Sequence, residues 1–184
     1  MNPLPNECKY EYKYDNDKSI FVGRKTLIHT PFSFQPNGQL YELESIREFY
    51  KCVDPNGEFI ILDIGAQTGL YSLYAKFLPK STFYAFEPFP DSILLLNENL
   101  ELNEIKNVTT FPFALSNESK KCKLNICKSH NGLHTLGNPL RFQDVEQIEV
   151  ECKTIDELFY DKKVDFIKID TEGSEYFILK GGEK

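Results

Sequence analysis

Apolar and polar positions fall into two regimes along the chain. From Gln39 to Val53 the apolar residues Leu40, Leu43, Ile46, Tyr50 and Val53 return at helical spacing, with charges between them, which predicts an amphipathic helix. Pro55-Asn56-Gly57 ends it with turn chemistry. Buried runs then alternate with helical stretches. Phe59–Ile64 is almost continuously apolar, as a strand covered on both faces should be. Leu70–Leu78 reads as a helix, Thr82–Phe86 as a strand, Asp91–Asn103 as a helix and Val108–Ala114 as a third strand.

Between Ser116 and Gln147 the pattern breaks, leaving a β-like piece at Lys123–Cys127 and a polar, glycine-containing loop. Ile148–Cys152 reads as a strand, and Thr154-Ile155-Asp156-Glu157 as a capping box opening a short helix. Val164–Ile169 is a last buried strand, followed by a helix from Ser174 to Lys180. Strand–helix alternation of this kind predicts βαβ units around a parallel sheet. Residues 1–38 show no sustained period: 1–19 read as a loose tyrosine-rich arm, followed by β-like runs at Ile20–Val22 and Thr26–His29, separated by Gly23, that could form a hairpin. The expected organisation is an N-terminal arm, 1–38, and one domain, 39–184.

Composition narrows the classes. At 41% hydrophobic and 14% aromatic the 184-residue chain can bury a core. A net charge of −7 argues against nonspecific nucleic-acid binding, which needs a basic face, and against a polybasic grip on membrane lipid. No basic segment followed by an apolar one opens the chain, and no run is long enough to cross a bilayer. Five scattered cysteines read as reduced cytoplasmic thiols; Cys122 and Cys127 resemble half a metal site, but no second pair follows.

The residues that can carry chemistry sit at strand ends. Phe59–Ile64 runs through Asp63 into Gly65-Ala66-Gln67-Thr68-Gly69 and then a helical stretch. Glycines there allow a sharp turn and close approach of a ligand, and the amides beyond can hold an anion. Glu87 ends the next strand, where a carboxylate can accept from two ribose hydroxyls. A dinucleotide site needs a second glycine where this chain has Gln67. Asp63 would repel phosphate and attract an ammonium. S-adenosyl-L-methionine, with ammonium, carboxylate, sulfonium and ribose, matches better than NAD. Near the other end, Asp170 and Glu172 close the last strand. They could take a hydroxyl proton, with a pKa raised by burial, or hold a divalent cation; the plainer alternative is that Asp170 caps the next helix and Glu172 pairs with a lysine. His130 and His134 could wall an acceptor pocket or lie in solvent, and His29 reads as structural or exposed.

DIGAQTG, AFEPFP, Asn99 and Asn103, FALSN and IKIDTEGSE, in this order over about residues 40–184, resemble the FkbM methyltransferases. That resemblance implies a Rossmann-like class I methyltransferase α/β sheet, with the third, second, first and fourth strands side by side, and methylation of hydroxyl oxygens on sugars and natural products. It implies that Asp63, Gly65 and Gly69, with Ala66 and Gln67 between them, border the methionine part of the cofactor. Glu87 would hold the ribose, and Ala114 and Leu115 would flank the adenine. The C-terminal strands of such a sheet are expected to be missing. The fourth strand would then be an open edge through which the chain could self-associate. The readings kept are an O-methyltransferase acting on a small molecule or glycan, a non-catalytic S-adenosylmethionine-binding module, and, disfavoured by Gln67, a nicotinamide oxidoreductase.

Overall fold

A computed structural model describes residues 9–14, 17–23, 26, 42–127, 134–137 and 145–184. Four parallel strands form the centre: β3 (Ile60–Ile64), β4 (Thr82–Phe86), β5 (Val108–Phe111) and β9 (Phe166–Ile169), in the order β5-β4-β3-β9. This is the expected Rossmann-like arrangement, with the first strand of the series between the second and the fourth. Alternation along the strands divides the core. Ile61, Phe83 and Ala85 face a cluster completed by Ile46 and Tyr50 of α1 (Leu43–Lys51), by Leu73 and Tyr74 of a 3₁₀ helix (Ser72–Phe77), and by Ile93, Leu96 and Leu100 of α2 (Pro90–Leu102). Leu62, Ile64 and Phe86 face the opposite way, onto α3 (Ile155–Phe159) and α4 (Glu175–Lys180) through Ile155, Phe159 and Ile178. The crossovers thus change face between β3 and β9, and such a switch point opens a crevice beyond the carboxyl ends of the two strands.

Several expectations need correction. The helix expected over Leu70–Leu78 is turns followed by the short 3₁₀ segment. The strand expected over Val108–Ala114 breaks after Phe111, where Pro112 has no amide to donate. Ala114–Leu115 (β6) belongs instead to a second, three-stranded sheet with β7 (Lys120–Cys127) and β8 (Val145–Lys153). There β7 and β8 pair antiparallel from Lys120 opposite Cys152 to Cys127 opposite Val145.

The arm is not loose where it is described. β1 (Lys9–Lys13) and β2 (Ser19–Gly23) form an antiparallel hairpin, with Tyr12, Tyr14, Ile20 and Val22 buried in the main core. The Asn103 side chain accepts from the Phe21 amide at 2.8 Å and donates to the Phe21 carbonyl at 2.7 Å. Asn99 accepts from the Gly23 amide at 3.2 Å and donates to the Thr68 carbonyl at 2.9 Å. These two asparagines clip the hairpin to α2 and to the glycine turn.

The last strand is not buried. Phe166, Lys168 and Ile169 are half-buried and Ile167 is 40% exposed, because no described strand pairs with the outer edge of β9. Beside it, α4 buries Ile178 but leaves Tyr176, Phe177 and Leu179 exposed. The capping box at α3 is half made: Thr154 Oγ1 accepts from the Glu157 amide at 3.0 Å, while the Glu157 carboxylate accepts from Ser119. Cys52, Cys122, Cys127 and Cys152 are free thiols. Among the described residues no helix is long and apolar enough to cross a membrane.

Candidate functional site

The crevice at the switch point is a cleft with about 720 Å³ of empty space, part of it open to solvent. Its floor is the glycine turn. The amides of Gly65 and Ala66 both donate to the Phe86 carbonyl at 3.0 Å, folding the chain over the end of β4. Gly65 has φ +74°, and a Cβ there would lie 2.0 Å from the Asp170 carbonyl oxygen. Only glycine satisfies both conditions. Gln67, also left-handed at φ 51°, presents its amide to Glu87.

Glu87 is the buried acid of the cleft. Its Oε2 accepts from the Gln67 amide at 2.9 Å and its Oε1 from the Phe89 amide at 2.8 Å. Burial raises its pKa to about 7, against the two amide hydrogen bonds and the positive charge of Lys168, which lower it. Each carboxylate oxygen keeps a lone pair for a further donor, so Glu87 is aimed and still able to accept hydroxyl protons.

Asp63 is placed elsewhere than expected. Its carboxylate is buried beneath the turn and does not line the cleft. Oδ2 accepts from Ser72 Oγ at 2.6 Å, and Oδ1 lies 3.1 Å from the Lys168 ammonium without a well-directed hydrogen bond. So engaged, Asp63 ties the turn to Ser72 and Lys168. Gly69 and Ala66 likewise sit behind the lining, whereas Gly65, Gln67, Glu87, Ala114 and Leu115 form it.

Asp170 and Glu172 both line the cleft. Both are exposed, so the burial invoked to tune a base is not present at either. Asp170 does not cap α4. Glu175 organises this loop instead, accepting from the Thr171 amide at 3.1 Å, the Thr171 hydroxyl at 3.0 Å and the Gly173 amide at 3.1 Å. Partial burial opposes its ionisation, but these donors outweigh it and hold its carboxyl below the ordinary range. Glu172 adopts φ 55°, and its carbonyl accepts from Thr135 Oγ1 at 2.7 Å.

That contact belongs to a strap, residues 134–137, carried by the second sheet. Thr135 exchanges backbone hydrogen bonds with Asn125 at 2.9 and 3.1 Å, and the strap brings His134 and Leu136 to the cleft beside Leu124. His134 Nδ1 accepts from the Cys127 amide at 3.2 Å, and the ring meets Phe89 edge to face. Burial lowers its pKa. His134 is therefore a wall of the cleft rather than a solvated loop side chain. His29 and His130 lie outside the described residues. Sequence reasoning missed Lys168, Ser72 and Glu175; the alternation of Phe166 and Lys168 along β9 carries the signal that Lys168 shares a face with Asp63. Among the described residues no three His, Cys, Asp or Glu side chains gather as metal ligands.

The family model described as "Methyltransferase FkbM domain" matches residues 63–184. The chain is similar to Methyltransferase 1 of Beauveria bassiana (strain ARSEF 2860), 28% identical over 156 residues, 71% of this chain and 62% of that protein. It is also similar to Methyltransferase sdnD of Sordaria araneosa, 29% identical over 159 residues, 69% of this chain and 61% of that protein. It thus spans about three-fifths of the length of these curated relatives. Among solved structures, TYW2 of M. jannaschii in complex with AdoMet is similar with a TM-score of 0.39 and 18% identity, covering 56% of this chain and 42% of that one. The chain belongs to the FkbM methyltransferase family.

Proposed function

We propose that this FkbM-family chain binds S-adenosyl-L-methionine in the cleft at the β3–β9 switch point and methylates a hydroxyl oxygen of a small molecule or glycan. The observation that carries the reading is Glu87, a buried carboxylate held by two backbone amides with lone pairs left for ribose hydroxyls. The group fits the residues present. Gly65 leaves no Cβ at the closest backbone approach, and Ala114 and Leu115 offer a small apolar wall for a flat base. When bound, the cofactor supplies a methyl group on a sulfonium. The chain's own part is to orient the nucleoside through Glu87, to cover it with the His134–Gly137 strap, and to take the acceptor's proton at Asp170, with Glu172 beside it. Calorimetry with S-adenosylhomocysteine and NAD tests the reading; binding of NAD alone would remove it.

The exposure of Asp170 and Glu172 favours a second reading, a binding module without turnover. A turnover assay against a panel of hydroxyl acceptors separates the two, and adding a chelator to an active protein distinguishes a base from a cation site. Free thiols on the described cysteines fit the cytoplasmic location we propose. Self-association through the outer edge of β9 belongs to the same reading and is checked by sedimentation.

A further inference from the structure

Lys168 is a charged side chain in an interior position that the cofactor reading does not use. Its side chain is 12% exposed. It stands opposite Asp63 in the parallel register of β3 and β9, on the same face of the sheet. Its ammonium donates to the Gly65 carbonyl at 2.8 Å, lies 3.1 Å from Asp63 Oδ1 and sits 5.1 Å from the centre of the Tyr71 ring. A buried ammonium is retained only where its donors find acceptors, and here one of those acceptors is the backbone of the turn itself. Asp63 is in turn fixed by Ser72. The result is a three-point brace (Ser72 to Asp63, Asp63 to Lys168, Lys168 to Gly65) running under the floor of the cleft.

Gly65 is the residue whose backbone cannot shift. Its amide is committed to Phe86, its carbonyl to Lys168, and its Cα faces the Asp170 carbonyl at the end of β9. Lys168 therefore ties the end of β9, which carries the acceptor-side acids, to the turn of β3, which carries the cofactor side. We propose that Lys168 is a positioning residue of the methyltransferase site: bracing Asp63 and the Gly65 carbonyl, it holds the cofactor turn in register with Glu87. It touches neither cofactor nor acceptor. The inference rests on the proposed S-adenosylmethionine site. The positive charge of Lys168 also favours the ionised Glu87 carboxylate, against burial and Asp63. The other titratable groups facing Glu87 across the cleft are His134, Asp170 and Glu172.

The test is calorimetric titration of the full chain with S-adenosylhomocysteine from about pH 5.5 to about pH 8.5, for wild type, Lys168→Met and Lys168→Arg, with thermal melts alongside. Lys168→Met is expected to weaken binding about tenfold at high pH, and to move the pH at which binding is half-developed upward by about one unit. Lys168→Arg keeps the charge and is expected to keep the wild-type midpoint. A purely structural ion pair would lower the melting temperature of Lys168→Met and leave that midpoint in place, which would overturn the proposal. So would wild-type affinity in Lys168→Met. If Lys168→Met does not fold, the pair Asp63→Asn/Lys168→Met leaves no unpaired buried charge. It is expected to recover the melt but not the affinity, and recovery of both would overturn the proposal. Absence of binding by the wild type at every pH would instead remove the cofactor reading itself.

Discussion

The two halves of the cleft are built to different standards. On the β3–β4 side the polar groups are tightly held: Glu87 accepts from two amides, Asp63 accepts from Ser72 and pairs with Lys168, and the Gly65 turn is tied at its amide and its carbonyl. On the β9 side Asp170 and Glu172 stand exposed on a loop organised by one carboxylate, Glu175, beside a strand that no described strand pairs with on its outer side. Binding a nucleoside needs a rigid, buried acceptor. Proton transfer at neutral pH needs a desolvated base, and only the first condition is met by the described residues. On the proposed reading, affinity rests on the first side and turnover on whatever desolvates the second.

The largest effect is expected at Gly65. Gly65→Val puts a branched side chain where a Cβ would be 2.0 Å from the Asp170 carbonyl, on a backbone with φ +74°. Strain and steric conflict together should cost about 3 kcal/mol or more of stability and remove S-adenosylhomocysteine binding. A melt and a titration check both, and a variant that binds like wild type places the pocket elsewhere. Asp170→Asn should leave cofactor affinity within about twofold and lower turnover by about 10²–10⁴; a fully active Asp170→Asn takes that residue out of the mechanism.

Glu87 comes next, and it carries a sign. Glu87→Ala should weaken S-adenosylhomocysteine binding by about 1.5–3 kcal/mol, since hydrogen bonds to a charged acceptor are lost. Hydroxyl donors favour the ionised carboxylate, whose pKa stands at about 7 in the free protein. Affinity should therefore rise with pH through that value. Stability runs the opposite way. The folded chain holds this proton more tightly than the unfolded one, so the Glu87 contribution to stability falls as pH rises from about 4.5 to about 7. Glu87→Gln should flatten both slopes, and a pH-independent wild-type titration would contradict the assignment.

The comparison also explains what could be read in advance. The parallel strands were legible because burial on two faces makes runs such as Ile60–Ile64 apolar except for Asp63. Glu87 was legible because it ends the strand after the glycine turn. The pairing of Asp63 was not legible because its partner lies on β9, more than a hundred positions away in the chain, and only the folded register brings the two together. One strand of the hairpin, Ile20–Val22, was read, but its partner Lys9–Lys13 was missed although Tyr10, Tyr12 and Tyr14 alternate with polar residues at a strand's period of two; tyrosines in a charged segment do not stand out as core, yet Tyr12 and Tyr14 are fully buried. The second sheet was read only in part, as the pieces Lys123–Cys127 and Ile148–Cys152, for another reason. β7 and β8 are rich in Lys and Glu on their solvent faces, so only Leu124, Ile126 and Val150 mark the buried side.

The smallest effect sharpens the contrast on the weaker side. Glu175 closes the Asp170–Ser174 loop with three hydrogen bonds from Thr171 and Gly173, but it is only partly buried, so solvent screens much of their value. Glu175→Ala should cost about 1 kcal/mol. Its carboxyl is held below the ordinary glutamate range. The folded chain therefore releases this proton more readily than the unfolded one, and the stabilisation is present above about pH 4.5, then lost as pH falls through the lowered folded value. Melts of wild type and Glu175→Ala should accordingly be separated at neutral pH and converge in acid. S-adenosylhomocysteine affinity should barely move, because the brace under Gly65 does not pass through Glu175. A large loss of cofactor affinity in this variant would mean that the two halves of the cleft are coupled through the loop, and that the exposed acids are held as part of the binding half after all.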